Sequence, residues 1–115
     1  MLEATDIQQT IKFYEDLLGF SAVSHYPDVE NACWVCLRRD EVEIMFSLRN
    51  EHSKFATPTL TGALYFNVDD VDAVWEQLKD QAQIEYPIEN FDFGMREFAI
   101  RDCNGYLLQF GKEIE

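Results

Sequence analysis

The feature that most constrains this chain is an internal repeat. A shift of 64 residues lays Asp6-Ile7 on Asp70-Val71, Ile11 on Trp75 and Tyr14 on Leu78. The repeated unit is large, because each half reads as a strand, a helix and about three further strands. A repeat of a whole supersecondary unit leaves few folds open, since each copy has to bury a sheet face under its own helix. One helix covers one face of a four-stranded sheet, so the opposite face is left for a cavity or a partner. At 115 residues the chain has room for one domain, 1–115, made of two such modules at about 1–50 and 59–115.

Two segments carry helical periodicity. Ile7–Leu18 places Ile7, Ile11, Tyr14, Leu17 and Leu18 on one face. Asp6 can cap it, with Gln9 three positions on in a capping-box arrangement, and Gly19 can stop it. Val71–Gln81 places Val71, Val74, Trp75 and Leu78 on one face, with Asp69 or Asp70 as cap and acidic residues suited to the helix dipole. Trp75 on that apolar face reads as core. The remaining segments read as strands: Met1–Thr5, Phe20–Tyr26, Asn31–Arg38, Glu41–Leu48, Leu60–Val68, a weak Ile84–Pro87, Met95–Arg101 and Tyr106–Gly111. Turn signals separate them at Tyr26-Pro27-Asp28, Arg39-Asp40, Glu51–Pro58 and Asn104-Gly105.

Strand alternation assigns the two faces. Val42, Ile44, Phe46 and Leu48 form an apolar row opposite Glu43, Met45 and Ser47. Leu64, Phe66 and Val68 lie opposite Ala63, Tyr65 and Asn67, and Tyr106, Leu108 and Phe110 lie opposite Leu107, Gln109 and Gly111. The apolar rows are expected under the helices. The mixed rows suit a ligand surface or plain solvent, and alternation alone does not separate those two.

Composition narrows the partners. With 9 Lys+Arg against 22 Asp+Glu the net charge is −13, which repels phosphate and so argues against nucleic acid and anionic membrane surfaces. The charge permits a cationic small molecule or simply keeps the protein in solution. The 47% hydrophobic content supplies an ordinary core, so wholesale disorder is excluded. The start, MLEATDIQQT, lacks a basic region followed by an apolar run, and no run reaches a bilayer's width. Three cysteines without framework spacing suit the reducing cytoplasm. Cys33 and Cys36 form a C-x-x-C, but in a strand over Ala32–Leu37 they point to opposite faces and cannot share a metal. Cys103 sits in a turn with no partner in sequence.

Three motifs resemble a known family. Asp6–Phe20 (D-I-Q-Q-T-I-K-F-Y-E-D-L-L-G-F) is similar to the first helix and turn of the vicinal oxygen chelate superfamily, which includes glyoxalase I, extradiol dioxygenases, fosfomycin-resistance enzymes and bleomycin-resistance proteins. Asn67–Trp75 (N-V-D-D-V-D-A-V-W) resembles the start of its second module, and Phe93–Phe110 resembles its closing hairpin. The resemblance spans the chain. It implies an α+β fold of tandem βαβββ modules, with a curved mixed sheet around a concave cavity and helices outside. Arg39–Ser47 and the Phe93–Asp102 hairpin look most like the bleomycin-resistance branch. In that branch an aromatic at the position of Phe93 lies in the drug groove, and the proteins are acidic homodimers that sequester a cationic drug without transforming it.

The resemblance also implies where a divalent metal would be held in the superfamily's enzymes. The first ligand position falls about seven residues ahead of Asp6, before the first residue. The others fall at about Met45, at Ala63 or Gly62, and at Gln109. None is a good hard-metal ligand: Ala has no donor, Met offers a soft thioether and Gln a neutral carbonyl. His25, near the end of a strand, and His52, in a polar loop, fall at none of these positions. No metal and no cofactor are expected, because a catalytic divalent site needs about three anionic or imidazole ligands. There is also no nucleophile elbow, P-loop or G-x-G-x-x-G. Glu43 and Glu97 are a carboxylate pair that could face one cavity, although with 22 acidic residues chance pairs are expected.

What remains is binding. Trp34, Met45, Tyr65, Phe91, Phe93 and Gln109 are the candidate lining, with Glu43 and Glu97 as anionic contacts. Aromatic faces attract cations by ~0.5–2 kcal/mol each, and carboxylates add charge complementarity. The expected function is therefore a non-catalytic binding protein for a cationic or aromatic drug-like molecule, of the antibiotic-sequestering kind. The alternative is a glyoxalase-like lyase or isomerase with a divergent metal site, and a third reading is a regulator with no small ligand.

Overall fold

The computed structural model describes residues 1–28, 32–49, 56–60 and 62–114. His52 and most of the Glu51–Pro58 turn lie outside the described residues. The chain divides into two units, Met1–Thr59 and Leu60–Glu115, each with its own core.

The first unit comprises β1 (Leu2–Ala4), α1 (Ile7–Asp16), β2 (Ser21–Tyr26), β3 (Trp34–Arg39) and β4 (Val42–Leu48). The second comprises β5 (Leu64–Asn67), α2 (Val71–Leu78), β6 (Gln83–Asn90), β7 (Met95–Arg101) and β8 (Leu107–Glu113). The sheet orders are β1-β4-β3-β2 and β5-β8-β7-β6, the same topology twice. In each sheet the first strand runs parallel to the last and the other pairs are antiparallel. The repeat read from the sequence is thus a repeat of topology, and the α+β class holds.

Both helices start where their caps dictate. The Asp6 carboxylate accepts from the Gln9 backbone N–H at 3.0 Å, and Asp70, rather than Asp69, accepts from that of Ala73 at 3.0 Å. Asp70→Ala is expected to cost ~1 kcal/mol, read as a lower melting temperature, because it orphans a first-turn donor. After α1 the chain turns through Gly19, at φ +71, a left-handed conformation that other residues rarely adopt. The Arg39 guanidinium donates to the Leu18 carbonyl at 2.6 Å and fixes that turn to the end of β3.

The apolar rows do lie under the helices. Ile44, Phe46, Val35 and Leu37 are buried beneath Ile7, Ile11 and Tyr14, and the Tyr14 ring meets Phe20 and Phe46. Val42, expected in that row, is 42% exposed because it begins its strand. In the second unit Phe66, Phe110, Phe98 and Trp75 form a continuous file with successive centroids 5.1, 5.2 and 5.2 Å apart. Trp75 is core packing, as its helical position requires.

Several boundaries move. The helices are shorter than their periodic segments, β5 is shorter than Leu60–Val68, and β8 runs on to Glu113. The segment Ile84–Pro87 grows into β6, eight residues long, with Pro87 tolerated because β6 is an edge strand. Cys33 lies just ahead of β3, exposed, while Cys36 is buried within it.

Candidate functional site

The second unit carries a concentrated polar cluster on the sheet face opposite α2. Strand register builds it. Tyr65 pairs with Gln109, Gln109 with Ala99, and Glu97 with Gly111, so these residues share one face. Phe66, Phe98 and Phe110 share the other.

Glu97 is the centre. Its side chain is inside the protein, the residue being 2% exposed, yet no Lys or Arg pairs with it among the described residues. Neutral donors hold it instead. The Tyr65 hydroxyl donates to Oε1 at 2.9 Å, and the Tyr86 hydroxyl donates to Oε2. The Gln109 amide donates to the Tyr86 oxygen at 2.9 Å and reaches Glu97 Oε2 at 3.5 Å. The cross-strand partner of Glu97 on β6 is a second carboxylate, Glu89. Burial, followed by hydrogen bonding to Glu97, pushes the phenols of Tyr65 and Tyr86 up to about 12. The site is therefore a buried negative charge ringed by hydroxyls that keep their protons.

Two residues of this cluster escaped the sequence reading. Tyr86 is one. Ile84 pairs with Ile100 and Tyr86 with Ala99, so β6 advances two residues while β7 advances one. That bulge turns Tyr86 from the helix-side face to the Glu97 face. Simple alternation would have put it with Ile84. Gly111 is the other. A Cβ there would stand 1.9 Å from the Tyr65 hydroxyl oxygen, so only glycine lets the phenol cross the strand. A glycine inside a strand is a signal for such an approach, and the sequence did display it.

Aromatic rings flank the cluster. Phe91 meets Tyr86 edge-on at 5.6 Å and stacks on Phe93 at 5.3 Å. Phe93, in the turn between β6 and β7, is 67% exposed, an open aromatic plate. Of the expected lining, Tyr65, Phe91, Phe93, Glu97 and Gln109 thus belong to one continuous surface of the second unit.

The rest lies in the first unit. Trp34, Met45 and Glu43 share the face opposite α1, as the register pairs Trp34↔Ser47, Cys36↔Met45 and Arg38↔Glu43 require. Trp34 is half-buried and Met45 is 39% exposed. Glu43 differs from Glu97 in kind: it is exposed and Arg38 neutralises it at 2.8 Å. Burial, then the Glu43 charge, pushes the neighbouring Cys36 thiol up, which disfavours a reactive thiolate. A groove of about 460 Å³ at the start of α2 contains none of the expected residues; its Arg96 is engaged by Asp72 and Asn90.

These features define a class before they define a member. Solved structures of the same architecture include TioX from Micromonospora sp. ML1, 20% identical, with a TM-score of 0.78 and 98% and 94% of the two chains covered. A virulence protein of Salmonella typhimurium is 26% identical, with a TM-score of 0.72 and coverage of 98% and 92%. A glyoxalase/bleomycin resistance protein/dioxygenase from Nocardioides is 15% identical, with a TM-score of 0.75 and coverage of 99% and 80%. Residues 1–110 match the Glyoxalase/Bleomycin resistance protein/Dioxygenase superfamily, and the chain belongs to it. No curated protein matches this chain significantly.

Membership raises the question of a metal, and the donor set answers poorly. The positions that the family resemblance gives to metal ligands hold a thioether at Met45, no side-chain donor at Ala63 or Gly62, and an amide at Gln109 whose nitrogen faces Tyr86 and Glu97. Among the described residues no three His, Cys, Asp or Glu side chains are grouped to hold an ion. These residues do not fit a divalent centre.

Proposed function

We propose that the chain is a non-catalytic, metal-independent binding protein for a cationic, aromatic small molecule, of the bleomycin-resistance kind. One observation carries the reading: among the described residues Glu97 is a carboxylate buried without a counter-ion, bonded to Tyr65 and Tyr86, and Phe91 and Phe93 extend the aromatic surface from Tyr86. Burying an unpaired charge costs several kcal/mol, and folds retain such charges where a ligand or a reaction uses them. Here the surroundings favour a ligand. The hydroxyls hold their protons more tightly than usual, so they orient the carboxylate rather than take protons from a substrate. The exposed plate of Phe93 gives a flat ring something to lie on, and aromatic faces attract cations. The net charge of −13 speeds the encounter.

The test is calorimetric titration with proflavine, a planar aromatic cation bearing N–H groups. Wild-type protein is expected to bind it in the micromolar range. Glu97→Gln, which keeps the shape and removes the charge, is expected to weaken binding at least about thirtyfold, the equivalent of ~2 kcal/mol. Unchanged affinity in that variant would sink the reading. A stoichiometric bound metal, with glyoxalase-type turnover that depends on it, would move the chain to the lyase or isomerase alternative.

A further inference from the structure

The two tyrosines that hold Glu97 are not equivalent. Tyr86 is fixed three ways: it donates to Oε2, it accepts from Gln109 at 2.9 Å, and Phe91 packs edge-on against it. Tyr65 makes a single side-chain hydrogen bond, to Oε1 at 2.9 Å. It is 39% exposed and stands on β5, an edge strand. Its hydroxyl lies over Gly111, where every other residue would place a side chain. The phenol therefore fills a vacancy in the sheet surface directly above the charged oxygen.

The geometry points to Tyr65 as a displaceable occupant of a cation subsite, its hydroxyl standing where the N–H of a protonated amine or amidinium binds Glu97 Oε1. This rests on the reading of Glu97 as the anchor for a cation, and it adds how that anchor is reached and which cations it takes. In the free protein the hydroxyl satisfies Oε1 and closes the way to it, which is why a charge so buried is tolerated. A ligand N–H replaces the O–H, the Tyr65 ring swings out through its open side, and the Gly111 backbone becomes the floor of the space it leaves. The ring is then free to cover the ligand as an aromatic wall. Because Oε1 accepts a directed hydrogen bond, the subsite selects cations with N–H donors over quaternary ammonium groups, whose methyls keep the charge at a distance.

Two substitutions separate the hydroxyl from the space it fills. Tyr65→Phe deletes the competing hydroxyl and keeps the ring. Gly111→Ala puts a methyl 1.9 Å from that hydroxyl and 2.8 Å from its ring carbon, which drives the ring away. Tyr65→Phe is expected to bind benzamidine about tenfold more tightly than wild type, the value of one displaced hydrogen bond to a charged group, whereas Gly111→Ala, whose methyl stands where the ligand N–H would bind, is expected to bind it more weakly than wild type. Both are also expected to melt lower in the absence of ligand, because Oε1 loses its donor. Nuclear magnetic resonance titration of the full chain, ¹³C-labelled in its tyrosine rings, reads the affinities and shows the Tyr65 signal shifting with benzamidine. Benzamide, which is neutral, and phenyltrimethylammonium, which has no N–H, are expected to leave it unmoved.

Equal or weaker benzamidine binding by Tyr65→Phe overturns the inference, as does phenyltrimethylammonium binding comparable to that of benzamidine. If proflavine still depends on Glu97 in those circumstances, the reading of the anchor survives and only the displaceable tyrosine falls. Should Gly111→Ala fail to fold, Tyr65→Phe decides alone. Binding by Tyr65→Phe with none by wild type supports the inference, since the hydroxyl is then the barrier.

Discussion

Phe98→Ala is expected to lower stability by ~3–5 kcal/mol, the range for deleting a fully buried aromatic. Phe98 is 0% exposed and lies in the middle of the second unit's aromatic file, between Trp75 and Phe110 at 5.2 Å each. Its removal opens a void that neither neighbour fills without leaving its own rotamer, and two favourable ring pairs go with it. Against a total of ~5–15 kcal/mol for a chain of this size, that is a large fraction. Thermal or urea unfolding checks it, with a drop in melting temperature on the order of 10–20 °C. Its sequence neighbour makes the useful contrast. Glu97 points to the opposite face of β7, so Glu97→Gln should cost far less stability while removing ligand affinity. A Phe98→Ala protein as stable as wild type would mean that the file is not the core of the second unit.

That contrast shows what a sequence of this kind discloses. Phe66 and Phe110, which share the file with Phe98, were legible because hydrophobic alternation is a local pattern, and a strand with one face under a helix has to display it. The two helices were legible through their spacing and their aspartate caps, both written within about four residues. The topology was legible because it occurs twice. The cluster around Glu97 was less so. Tyr65 and Gln109 lay on faces that alternation assigned correctly, yet nothing local says that Glu97 on β7 lacks a cation among the described residues. Glu43 and Glu97 read alike, as a pair of carboxylates that could face one cavity. Only the register separates them. Arg38 pairs across from Glu43 on the same face, whereas Arg96 lies on the other face from Glu97 and binds Asp72.

The repeat sharpens the point. Ser47 and Gly111 are 64 residues apart and occupy matching places on β4 and β8. Trp34 faces Ser47 as Glu97 faces Gly111, and Met45 matches Gln109. The same frame therefore carries a thioether and an indole in one unit and a hydrogen-bonded carboxylate in the other. Tyr86 was hidden for a different reason. An extra residue in β6 between Ile84 and Tyr86 reverses the face of Tyr86, a second irregularity between Tyr86 and Glu89 shifts the phase again, and no propensity marks where either falls.

The hydroxyl pair has a consequence at high pH that separates this cluster from ordinary surface tyrosines. Tyr65 and Tyr86 are both pushed from the usual value near 10 up to about 12, first by burial and then by the hydrogen bond to Glu97. Below pH 10 the folded and unfolded chains both keep these protons, so the stabilisation is complete. Between pH 10 and 12 the unfolded chain releases them and the folded chain does not, so stability falls as pH rises. Above 12 both states are ionised and this source of loss ends. A two-unit shift is worth at most about 2.7 kcal/mol per group. Tyr65 is 39% exposed and solvent screening reduces its share, and the two phenols titrate as a coupled pair through one carboxylate. A combined loss of ~2–4 kcal/mol is expected across that window. Urea unfolding at intervals from pH 9 to 12 measures it, and the ¹³C signals of the two rings report which proton leaves first. The Tyr65→Phe, Tyr86→Phe double variant should be less stable at neutral pH, where Glu97 lacks both donors, but flatter above pH 10. If the double variant loses stability with pH as steeply as wild type, the alkaline limb belongs to other groups, and Glu97 does not hold its hydroxyls in the way this arrangement requires.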